Sequence, residues 1–156
     1  MKKVIFIFII LSFFDCTNNE SKIANHENQQ AKKENPYKDQ LKIIITRTGY
    51  FPSNVWKPCI ELSIQNITNT TINDYVDLKV TFRDLDSGEI LGEPATKIIS
   101  GYQPLEAGAT RSNSVFMPFL GIEGATNKMA DKNVKAEIYI EDGFVEEIRI
   151  ENKSFR

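Results

Sequence analysis

Asp84, Asp86 and Glu89 stand close together in the stretch DLDSGE, and three carboxylates at that spacing are a possible calcium loop. A loop of the EF-hand type keeps a ligand at its fifth position and glycine at its sixth. Here Gly88 falls fifth, so the expectation is a hairpin turn whose acids cap backbone N–H groups. Glu146 and Glu147 are adjacent, and on a strand adjacent side chains point to opposite faces, so they cannot act together on one substrate. Acids from two different strands could still converge as in a glycosidase, which keeps a carboxylate-dependent hydrolase as an alternative. Nucleophilic catalysis by Ser or Cys generally needs a base, most often His, and the sole histidine is His26, in a polar N-terminal stretch. Beyond residue 40 one cysteine and no histidine remain, too few for a zinc site. No glycine-rich phosphate loop is present. The expectation is a protein with no catalytic residues, no metal and no cofactor.

Binding chemistry is better represented. GYFPSNVWKPC, residues 49–59, sets Tyr50, Phe51 and Trp56 among two prolines. Aromatics on a loop suit stacking on a sugar or anchoring a protein contact. The competing expectation is that Phe51 and Trp56 plug one end of the fold. A formal charge of −2 gives no basic face for nucleic acid.

The elements that must position these residues read as strands. Apolar residues make up 41% of the chain, with ten Phe and five Tyr, a composition suited to a β-rich globular domain. LKIIITRT sets Leu41, Ile43 and Ile45 on one face, and CIELSIQN does the same with Ile60, Leu62 and Ile64. YVDLKVTFRD alternates Val76, Leu78, Val80 and Phe82 with Asp77, Lys79, Thr81 and Arg83. VKAEIYIE turns Val134, Ala136, Ile138 and Ile140 inward, and FVEEIRIE carries Phe144, Ile148 and Ile150. Period two is the pattern of a half-buried strand. Turns fall at NITNTT, DLDSGE and QPLEAG. Between the last two strands a three-residue loop, Glu141-Asp142-Gly143, pairs Ile140 with Phe144 and Ala136 with Ile148 and gives glycine the left-handed position. About seven strands without a long helix predict an all-β, immunoglobulin-like antiparallel β-sandwich over residues 41–156. Cys59 is expected to be a free thiol packed near a strand start.

Upstream, Lys2 and Lys3 precede the apolar run Val4 to Phe14, broken only by Ser12, and then comes Cys16. This run is too short for a spanning helix, which needs about 20 residues, and has the length of a secretory core. The arrangement resembles a bacterial lipoprotein signal. The resemblance covers the first sixteen residues and implies that Cys16 carries a diacylglycerol and becomes the mature N-terminus. Phe13, Phe14 and Asp15 depart from that family's usual Leu-small-small pattern. Residues 1–15 are then a signal peptide. Residues 16–40, with four basic and four acidic side chains from 17 onward, form a disordered linker of roughly 25–30 Å. Membrane lipid, through Cys16, and another envelope protein are the partners implied, and the place is the cell envelope, on the periplasmic or surface side of an outer membrane. The succession SIQNITNTTI, LKVTFRDLDSGEIL and QPLEAGAT is similar to the small immunoglobulin-like modules of bacterial envelope proteins, including FxLYD-type domains. That resemblance implies a sandwich without catalysis and assigns no functional residue.

Overall fold

The computed structural model describes residues 32–52, 56–118 and 133–155, all within one compact unit, Ala31–Arg156. Among the described residues eight strands run in chain order: β1 Leu41–Phe51, β2 Lys57–Asn66, β3 Val76–Asp84, β4 Ile90–Gly92, β5 Ala95–Ile99, β6 Thr110–Phe116, β7 Val134–Ile140 and β8 Gly143–Arg149. They form two antiparallel sheets, one in the order β1-β2-β6 and the other β4-β3-β7-β8, with β5 also on β3. No helix occurs among the described residues. The chain is an all-β sandwich, and its strands divide between the sheets as in an immunoglobulin-like fold, first, second and sixth facing third, seventh and eighth.

The expected alternation is realised. Val76, Leu78, Val80 and Phe82 of β3 and Val134, Ala136, Ile138 and Ile140 of β7 are fully buried, and they meet Ile60, Leu62 and Ile64 of β2. Removing each such side chain from water contributes about 1.5–3 kcal/mol, which fixes the register because a one-residue slip would turn the whole set outward.

The β7–β8 hairpin corrects the expected loop. Ala136 does face Ile148, but Ile140 faces Gly143, not Phe144. The turn is Glu141-Asp142, both with positive φ (49° and 61°), a two-residue turn whose twist suits a hairpin. A register shift between Ile138 and Tyr139 then leaves Val145 as the extra residue and restores the outer register. It also moves Phe144 off the expected inner face to stand opposite Tyr139, edge to face at 5.8 Å. Gly143 therefore serves close approach instead of left-handed φ, since a Cβ there would lie 2.4 Å from the Asn35 Cα.

That approach also revises the domain start. Residues 32–40, expected in the linker, are held against the sandwich. Glu34 bridges Phe144 in parallel, the Phe144 N–H donates to the Lys33 carbonyl at 2.8 Å, and Asn35 is buried. Asn35 Oδ1 accepts the Tyr37 N–H at 2.9 Å, and Tyr37 packs on the core. Residues 1–31, with the expected signal, Cys16 and most of the linker, lie outside the described residues.

Candidate functional site

Of the three aromatics singled out in the sequence, the fold separates one from two. Tyr50 is buried. Its N–H donates to the Lys153 carbonyl (2.8 Å) and its carbonyl accepts the Phe155 N–H (2.9 Å), so the C-terminal segment lies along the end of β1. Gly49 permits this, because a Cβ would meet the Lys153 oxygen at 2.7 Å. Arg47 stacks over the buried Phe155 ring at 4.1 Å and pairs with Glu61 at 3.1 Å. Burial pushes the Tyr50 phenol above its ordinary range. Tyr50 is therefore a fastener, not a contact residue.

Phe51 and Trp56 flank the tip of the β1–β2 hairpin and are each 43% exposed. Neither belongs to the buried core, which takes Tyr50 from this hairpin instead, so they do not plug the sandwich as expected. The Tyr50 hydroxyl meets the backbone of Val134, which faces Asp84 across β3–β7, so the hairpin tip and the DLDSGE turn share one end of the molecule. Leu85 of that turn and Ile90, at the start of β4, are exposed too, at 42% and 43%. Neither carried a signal in the sequence, since an isolated apolar residue in a turn is ordinary. Four large exposed apolar side chains thus stand toward one end of the molecule.

The DLDSGE turn itself is capped as expected. Asp84 Oδ1 accepts the N–H groups of Asp86 (2.9 Å) and Ser87 (3.4 Å), and Gly88 takes φ +74°. Among the described residues no group of acids, histidines or cysteines is arranged to hold a metal. Cys59 is a buried free thiol, and burial pushes its pKa up to about 12, so the reactive thiolate is scarce at neutral pH.

A dense charge cluster lies on the outer face of the larger sheet. Glu137, only 4% exposed, receives Lys135 at 3.1 Å, Lys32 and Arg83 at 3.7 Å each, and the Tyr139 hydroxyl at 3.0 Å. Glu147 stands directly opposite and shares Lys135 at 3.0 Å and Lys32 at 3.6 Å. Burial would raise the Glu137 pKa, but the bonds from Lys135 and Tyr139 and the nearby cations outweigh it and hold the carboxyl low. Tyr139, half-buried and donating to that carboxylate, is pushed up to about 12. Lys32 also caps the Phe144 ring at 3.7 Å.

The opposite end holds two features that the sequence reading did not single out. Asn66, fully buried, donates from Nδ2 to the carbonyls of Thr70 (2.8 Å), Leu105 (3.0 Å) and Glu106 (3.1 Å). Its Oδ1 accepts from the Thr68 N–H (2.9 Å) and hydroxyl (2.7 Å). Arg111 ties Ile98, Gln103 and Pro104 carbonyls together. On these braced loops Tyr75 and Tyr102 stand 59% and 92% exposed.

Comparison with known proteins adds little. No family model matches the chain, and no curated protein does. Among solved structures, the crystal structure of Spo0M, a sporulation control protein from Bacillus subtilis, is similar at a TM-score of 0.31 and 14% identity. The match covers 74% of this chain and 49% of that one, so the chain spans about half the length of Spo0M.

Proposed function

We propose that this chain is a lipid-anchored protein of a bacterial cell envelope whose sandwich is a non-catalytic module that binds another envelope protein through Phe51 and Trp56. The observation that carries the binding reading is the pair of half-exposed aromatics on a hairpin fastened at Tyr50. A clamped platform loses little entropy on contact, so its exposed rings can contribute most of their buried area to affinity. The anchor rests on Lys2, Lys3, the apolar run and Cys16. More than one acyl chain on Cys16 would make attachment durable, where one alone is marginal. A photoreactive residue in place of Trp56 should crosslink one specific envelope protein in intact cells. Repeated recovery of none would sink the reading.

A non-catalytic role also fits the acids. A glycosidase needs one carboxyl protonated and one ionised near neutral pH. Glu137 faces Glu147 but is held low by its cations, while Glu146, whose pKa burial raises, is directed to the other face. The second reading, a carbohydrate-binding module, is favoured by the exposure of Trp56. A glycan panel that leaves Trp56 fluorescence unchanged would remove it.

A further inference from the structure

Between β1 and β8, the edge strands of the two sheets, one side of the sandwich stays open. Gln40 accepts the Ile67 N–H at 2.9 Å, so alternation along the ladder turns the N–H and C=O groups of Leu41, Ile43 and Ile45 away from β2. Leu41 spends its N–H on the Tyr37 carbonyl (2.8 Å). Beyond the register shift between Ile45 and Arg47, Tyr50 is taken by the C-terminal segment. Among the described residues nothing pairs with Ile43 or Ile45 from the outer side. What is left is an edge of roughly six residues, ~20 Å long, shut at both ends by the chain itself. The far end is closed by a strand addition in the parallel sense, Ser154 beside Tyr50, and the near end by the Tyr37–Leu41 turn.

Beside this edge runs a groove of about 360 Å³ whose floor is Leu41, Ile43 and Val145 and whose charged lining is Glu146 with Lys38 and Lys42. Glu146 faces Ile138 across β7–β8, which directs its carboxylate to the inner side of the sheet. It is half-buried and makes no ion pair or hydrogen bond among the described residues. An inward charge of this kind discourages indiscriminate edge pairing. Lys38 is engaged by Glu34, so a cation on an incoming strand supplies the ion pair that Glu146 lacks among the described residues.

We propose that this slot receives an extended peptide from a partner protein, which adds as a strand to β1 and places a Lys or Arg side chain against Glu146. Main-chain bonds to Ile43 and Ile45 supply affinity, and the carboxylate selects the residue between them. A second copy of this chain does not fit in the register that would use these groups. Pairing Ile43 with Ile45 of a copy would drive residue 38 of one molecule into residue 50 of the other, where Lys153–Phe155 already lie. The occupant must be a slender strand without its own flanking structure. The slot is separate from the aromatic tip and does not depend on it.

The test uses the full chain with two synthetic hexapeptides, acetyl-TVKVTV-amide and its counterpart with Asp in place of Lys. The Lys peptide should slow amide exchange at Ile43 and Ile45 about tenfold or more, and the Asp peptide should not. Glu146→Lys should reverse that preference, and Glu146→Gln should abolish it. Equal binding of both peptides, protection elsewhere, or a peptide-free dimer already protected at Ile43 and Ile45 would overturn the proposal.

Discussion

Glu137 and Glu146 sit on neighbouring strands with opposite electrostatics, and each yields a prediction with a definite sign. Glu137 is nearly buried, yet its pKa is held below the usual value by Lys135, Tyr139 and Lys32. A carboxyl that ionises more easily folded than unfolded contributes stability above its unfolded pKa, and loses it as pH falls through the folded value. Glu137→Gln should destabilise the domain by about 1–2 kcal/mol at pH 7, discounted because its cations are partly solvated. The loss should shrink below about pH 4. Urea titrations at both pH values read this directly. Glu146 is the reverse case, raised by burial. Its charge costs stability at neutral pH, and that cost fades as pH falls through the folded pKa. Glu146→Gln should therefore raise the neutral-pH unfolding midpoint slightly and leave the midpoint near pH 3 unchanged. A drop at pH 7 would mean that Glu146 has a cationic partner.

At the scale of elements, two small residues carry joints that larger ones would break. Gly143 lets residues 34–35 lie on β8 with no room for a methyl group, the Asn35 Cα standing 2.4 Å from a Cβ position. Gly143→Ala should lift that segment, costing about 1–3 kcal/mol, and should free the Phe144 amide to exchange. An unchanged exchange rate at Phe144 would show that the joint adapts. Asn66 makes five hydrogen bonds that tie the 66–70 turn to residues 105–106. Asn66→Ala removes all five and strips the Thr68 N–H of its acceptor, although the Leu105 carbonyl keeps the Ile72 N–H, and a loss of about 1–3 kcal/mol in urea unfolding is expected. Such joints also explain which parts were legible in the sequence. β2, β3 and β7 turn most of their large apolar side chains to one face, so their period-two pattern stands out in SIQN, LKVTF and AEIYI. β4 has three residues and β5 exposes Ala95, Thr96 and Lys97 at an edge, so neither writes an alternation. The β8 bulge hides Phe144 because one inserted residue reverses the faces on either side of it. Residues 32–40 read as polar linker because their attachment runs mostly through backbone groups, which composition does not record.

For the whole molecule, the candidate site was half legible. Aromatics among prolines marked the hairpin tip, but which of them faces solvent depends on the C-terminal segment, about a hundred residues away in sequence, folding over Tyr50. Leu85 and Ile90 join the surface only because β3 and β7 bring Asp84 beside Val134. A site assembled from distant turns around buried fasteners separates binding from stability, and the proposed function can be tested on that separation. Trp56→Ala removes a half-exposed ring outside the core, so the thermal midpoint should move by no more than a degree or two, as expected for a surface change under about 0.5 kcal/mol. Capture of the partner by a crosslinker placed at Phe51 should fall about tenfold, the scale of a central aromatic contact. Cys16→Ser should leave both fold and tip intact while moving the protein from the detergent fraction to the aqueous one. If Trp56→Ala unfolds the domain, the ring belongs to the core and the tip reading is lost. If Cys16→Ser stays with the membrane, the anchor lies elsewhere and the tip reading still stands.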